Sequence, residues 1–172
     1  MGQHVSCCLH PHSFPDYSYL EQWLYRSQIM PLCEHVGDLY TGELRRTTPT
    51  SIPYVVHCVS RDFKMWAGFA VSVRHRVKET PTPFCTKTVP SVATQRSKDG
   101  SIMFVHLVTK ERYNHKPRQE DVFDGIAIIE RTLPAGTPVN APRIACGLDG
   151  LSWVDVAARL QRSPLEWNVW CK

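Results

Sequence analysis

The chain is 172 residues long, with 42% hydrophobic and 21% charged residues. That length fits one core with a tail, and the apolar content excludes a chain too poor in hydrophobic residues to fold. The formal charge of +4 is scattered over Lys and Arg along the whole length, which favours an anionic ligand only weakly and does not by itself argue for nucleic acid. Seven cysteines, Cys7, Cys8, Cys33, Cys58, Cys85, Cys146 and Cys171, include no CxxC pair and follow no secretory signal. No run approaches the roughly 18 apolar residues of a membrane span. A reducing, intracellular location and a monomer are the expectations.

Residues 1–30 mix His, Pro, Ser and aromatic residues without a long apolar period, and read as a tail or accessory segment ahead of a folded domain over 31–172. Ser18 and Glu21 resemble a capping box, and Leu20, Trp23 and Leu24 share one helical face, so a short helix is expected there. Met1-Gly2-Gln3-His4-Val5-Ser6 meets the N-myristoylation pattern, and Cys7 or Cys8 offers a second acylation site; membrane association is expected only if these are acylated. The cluster Cys7-Cys8-x-His10-x-His12 has zinc-binding residue types, but its spacing is too compressed for four donors to reach tetrahedral positions. Neither a metal nor a cofactor is expected.

Residues 32–36 and 54–59 read as strands, and 67–77 as a helix. Pro81, Pro83 and Pro90 exclude a regular helix or central strand through most of 78–90, which reads as an exposed connection. Asp99-Gly100 lies between 92–96 and the strongly apolar 102–108, the short-range signature of a hairpin. Pro117 suits the first turn of a helix whose Val122, Ile126, Ile129 and Leu133 recur at spacings of four, three and four. Pro134-Ala135-Gly136-Thr137-Pro138 reads as a break, 143–146 as a strand, and Ser152 with Asp155 as the cap of a helix carrying Trp153, Val156 and Leu160. Residues 167–171 form the last expected strand. Strands separated by helical patterns of this length indicate a three-layer α/β/α domain, in which ligands bind beyond the carboxyl ends of the strands.

Three such loops stand out: Val36-Gly37-Asp38-Leu39, residues 60–68, and Cys146-Gly147-Leu148-Asp149-Gly150. Glycine lets the backbone approach a pyrophosphate closely, and amides at the start of a helix present partial positive charge to it. Each loop alone also fits an ordinary tight turn, with Asp38 bonding its own backbone and Asp149 capping a helix.

Read together, the segments resemble macrodomains of the terminal ADP-ribose protein glycohydrolase type. The resemblance runs through Val36-Gly37-Asp38-Leu39, His57-Cys58-Val59-Ser60, Met65-x-Ala67-Gly68-x-Ala70-Val71, Leu107-Val108-Thr109-Lys110-x-Arg112 and His115-Lys116-Pro117. It ends on Pro142-Arg143-Ile144-x-Cys146-Gly147-Leu148-Asp149-x-Leu151-x-Trp153 and a final short strand, so that about 140 of the 172 residues are covered. It implies a central mixed sheet, a crevice for ADP-ribose and ADP-ribosylated proteins as partners. It further implies that Asp38 receives the adenine amino group, that the Leu39 backbone fixes the ring, and that Ser60 and Thr109 belong to the ligand site. Ala67 and Gly68, with Arg143, Ile144, Ala145, Cys146, Gly147 and Leu148, match the loops around ribose and pyrophosphate, and Lys172 matches a position near the ligand.

Lys110 aligns with the family's nucleophile and Asp149 with its acid/base. The implied activity is hydrolysis of mono-ADP-ribose from glutamate or aspartate side chains, with deacylation of O-acyl-ADP-ribose as a possible side reaction. A lysine can attack an anomeric carbon once deprotonated, and a neighbouring carboxylate can move the protons. The competing reading is a reader that binds ADP-ribose without cleaving it. Two departures stand out: Trp66 occupies a position often held by glycine, and Ala145 replaces a common glycine.

Overall fold

The computed structural model describes residues 32–171; the expected tail helix, the acylation pattern, the Cys7–His12 cluster and Lys172 lie outside them. The elements in chain order are β1 (Cys33–Val36), β2 (Tyr54–Ser60), α1 (Phe69–Arg74), β3 (Ser91–Arg96), β4 (Met103–Lys110), α2 (Gln119–Thr132), β5 (Pro138–Pro142), α3 (Trp153–Leu160) and β6 (Glu166–Cys171). They build one mixed sheet of order β1-β6-β5-β2-β4-β3, parallel throughout except for β3.

The central strands are apolar on both faces because helices or loops cover both. Along β2 and β4, Val56, Val105 and Leu107 enter the core beneath α2 and α3, whereas Val55, Phe104 and Val108 enter the opposite core with Val73 of α1. Alternation of side chains across the pleat produces this division. Helix α2 presents Val122, Ile126 and Ile129, all at most 1% exposed, to the sheet. Gly125 lets it sit close, since a Cβ there would stand 2.3 Å from Leu107 Cδ1.

The hairpin at Asp99-Gly100 forms as its sequence predicts, pairing Arg96 with Met103 and Ser91 with Val108. Gly100 takes φ +76°, and Asp99 accepts bonds from the Ser97 and Ser101 hydroxyls and the Ser101 amide. Other expectations need correction. The helix expected over 67–77 is only six residues long, starting after Gly68 and stopping at Arg74. Pro117 precedes the N-cap Arg118 of α2 instead of occupying its first turn. The strand expected over 143–146 is a turn, and the strand of this region is β5. Pro138 and Pro142 stand at its two ends, in register with Glu166 and Trp170 of β6, and in sequence they imitate a break. Ser152 is the N-cap of α3 but makes no side-chain capping bond.

Candidate functional site

The chain leaves β2 toward α1 on one face, but leaves β4 and β5 toward α2 and α3 on the other. Where neighbouring strands send their loops to opposite faces, a crevice opens at their carboxyl ends. Here Ser60, Lys110 and Pro142 end three adjacent strands, and a cavity of about 540 Å³ lies above them. That size falls within the range of small-ligand sites.

The loop after β2 forms the first wall. Phe63 and Met65 hold left-handed conformations at φ +48° and +45°, which bulky side chains rarely adopt. Both are buried, at 2% and 4% exposure, so core packing holds the turn in place. Ala67 and Gly68 line the cavity, and Gly68 at φ +61° turns the chain into α1. The opposite wall is residues 142–149. Ala145 stands at φ +58°, the reason glycine suits this position, and Leu151 N–H returns a bond to its carbonyl at 2.9 Å. Leu148 is exposed, yet its Cδ1 would lie 3.3 Å from a Cβ on Gly68, so the two walls meet above the cavity. Lys116, from the loop after β4, donates to the Leu148 carbonyl and straps the third loop to the second.

Within this space Lys110 Nζ lies 2.5 Å from Asp149 Oδ1, with the side chains only 13% and 12% exposed. A register shift after Val59 brings Ser60 opposite Lys110 and leaves Thr109 fully buried behind them. Cys58 also faces the cavity, but burial, then the charge of Asp149, pushes its thiol far up. Burial pushes Cys146 up to about 11. Neither sulfur is poised as a thiolate.

Of the residues expected from sequence, Ser60, Ala67, Gly68, Lys110, Arg143, Ile144, Ala145, Gly147, Leu148 and Asp149 line the cavity. Arg143 sends its guanidinium away, to Glu34 at 2.8 Å and over the Trp153 ring, so its backbone faces the site. Thr109 and Cys146 are outside the lining, as are Asp38 and Leu39. The Asp38 carboxylate accepts the Tyr40 amide at 2.8 Å, and Leu39 is buried in the core.

The sequence reading missed Asp62 and Tyr113, although both follow the carboxyl ends of site-forming strands. Trp66 stands at the rim, 58% exposed, with its ring centroid 5.4 Å from that of Tyr113. Lys64 Nζ lies over both rings, at 4.7 and 4.5 Å. Among the described residues no cluster of His, Cys, Asp or Glu could hold a metal ion, and no helix is long and apolar enough to cross a membrane.

A mixed sheet between helical layers, with a ligand-sized crevice at its parallel strand ends, is the macrodomain fold. Solved structures that share it include the macrodomain of Mycobacterium tuberculosis DarG, at TM-score 0.59 and 20% identity over 83% of this chain and 99% of that one, and Thermosipho africanus DarTG in complex with ADP-ribose, at TM-score 0.56 and 15% identity over 80% of this chain and 41% of that one. No protein-family model matches the chain. The ADP-ribose glycohydrolase OARD1 of Bos taurus is 32% identical over 109 residues, 62% of this chain and 71% of that relative. The chain therefore belongs to the macrodomain family of ADP-ribose glycohydrolases.

Proposed function

We propose that the protein hydrolyses mono-ADP-ribose from glutamate and aspartate side chains, with Lys110 as nucleophile and Asp149 as acid/base. The observation that carries this reading is the Lys110–Asp149 contact of 2.5 Å within the cavity wall. An ammonium has no lone pair, so reaction begins with its proton passing to the Asp149 carboxylate. The amine then attacks the anomeric carbon. In direct attack the N–C bond forms as the C–O bond breaks, and the electron pair leaves on the side-chain carboxylate. The glycosylamine formed in this way can open, its ring C–O bond breaking as the ring oxygen takes a proton from Asp149, to leave an imine. Water hydrolyses either adduct, its protons restoring lysine and product through Asp149.

The loop holding Ala67 and Gly68 and the loop over 143–149 would flank ribose and pyrophosphate, while Asp38 and Leu39 would lie toward adenine. O-acyl-ADP-ribose acylated on the anomeric oxygen would lose its acyl group as a carboxylate by the same attack. Glutamate-linked and serine-linked ADP-ribosylated peptides test the reading, with borohydride present to trap a lysine adduct. Release from the first, little from the second, and a trapped adduct absent from Lys110→Ala are expected, because a carboxylate leaves far more readily than an alkoxide. A wild type that binds ADP-ribose but releases none would make the protein a reader.

A further inference from the structure

We infer that Asp62 is a positioning residue that fixes the hydrogen-bond polarity of Ser60, presetting it to accept from a hydroxyl on the sugar beside Lys110. Ser60 lines the cavity, and its Oγ donates to Asp62 Oδ1 at 2.5 Å. A serine hydroxyl has one proton and two lone pairs. With the proton committed to Asp62, only lone pairs remain for the ligand.

Asp62 is itself 6% exposed, and its Oδ2 accepts the Tyr113 amide at 3.2 Å. Its two oxygens thus serve two cavity walls, the end of β2 and the loop after β4. A ligand phosphate has acceptor oxygens where it meets this site, so Ser60 could satisfy it only by giving up the bond to Asp62. A ribose hydroxyl can donate without disturbing that bond. Register decides which ribose is meant: Ser60 is paired with Lys110 across β2 and β4, so the acceptor stands beside the amine assigned to attack. The inference rests on the proposed reading in taking the ligand to be ADP-ribose with its distal sugar at Lys110.

Asp62→Asn is the informative variant, because the Tyr113 amide still requires an acceptor. The asparagine oxygen stays there and its NH2 group turns to Ser60, which then accepts from asparagine and frees its own proton to point into the cavity. Calorimetric titration with ADP-ribose and with analogues lacking one distal-ribose hydroxyl reads the effect in wild type, Ser60→Ala and Asp62→Asn, after thermal melts show each variant folded. Wild type should prefer ADP-ribose over one analogue by about tenfold, as expected when a buried acceptor loses its donor. Both variants should lose most of that preference. A purely structural role would weaken all ligands together and leave the ratio intact. Retention of the wild-type ratio in Asp62→Asn, or no preference in a wild type that binds, overturns the inference. A wild type that shows the preference but does not cleave overturns the catalytic reading alone, and one that does not bind ADP-ribose overturns both.

Discussion

Lys110→Met removes the ammonium from a pair held at 2.5 Å while keeping much of the aliphatic volume of the side chain. At an effective dielectric near 20 the gross attraction at that distance is about 7 kcal/mol. Most of it offsets the cost of taking two charges out of water, and with both side chains slightly exposed, at 13% and 12%, a net coupling on the order of 1–3 kcal/mol remains. Lys110→Met should therefore lower Tm by about 2–4 °C for each kcal/mol lost, as expected for a chain of this size. Asp149→Asn should do likewise, and the double variant should be less destabilised than the sum of the two. Turnover should behave differently: Lys110→Met alone should abolish it, and adding Asp149→Asn should cost little more, because the two residues act as one unit. Thermal melts and ADP-ribose release from a glutamate-linked peptide measure both quantities. Strictly additive Tm changes would show that the pair contributes no coupling, and turnover above about one tenth of wild type in Lys110→Met would remove the lysine from the chemistry.

Asp38→Asn keeps an oxygen for the Tyr40 amide, and ADP-ribose binding should weaken by about 1–2 kcal/mol if the charge serves the adenine amino group; unchanged affinity by calorimetry in the folded variant would remove Asp38 from the site. Gly125→Ala should destabilise by about 1–3 kcal/mol despite alanine's higher helix propensity, because the new methyl meets Leu107; a stabilised variant in urea titration would contradict that packing. The pair His57 and His106, in contact at 2.7 Å, is buried, which lowers His57 well below the ordinary histidine value and His106 to about 3. Both folded values lie below the unfolded one, so the stability they contribute is present above about pH 6.5 and lost as pH falls toward 3. His106 alone should make the protein about 2 kcal/mol less stable at pH 5 than at pH 7. Ring resonances of these two residues titrating near pH 6.5 in the folded protein would refute this.

Local chemistry made the hairpin and α2 readable, since Asp99-Gly100 dictates a tight turn and the stripe from Val122 to Ile129 has no other low-energy use. The strand β5 was hidden for an equally local reason. Its ends are prolines, and the parallel partners that pair with it, β2 and β6, lie elsewhere in the sequence. Ile144 and Cys146 alternate like a strand, but Ala145 at φ +58° bends the chain instead. At the site, the resemblance singled out Lys110 and Asp149, and the fold brings them together. Asp62 carried no comparable signal, because its partners Ser60 and Tyr113 belong to different strand ends and its neighbours in sequence reveal neither.

The position of β6 has a kinetic consequence. It lies between β1 and β5, so among the described residues β1 finds its strand partner only in residues 168–171, with His35 bonding Asn168 at 3.0 Å and stacking on Trp170. More than 130 residues must close as a loop before that pairing repays its entropy, one of the longest-range contacts the chain can make. During synthesis the segment from β2 to β5 can assemble around its own core while Cys33–Val36 waits for a strand not yet made. Refolding should therefore be biphasic, with the central sheet protected from hydrogen exchange before the β1 edge.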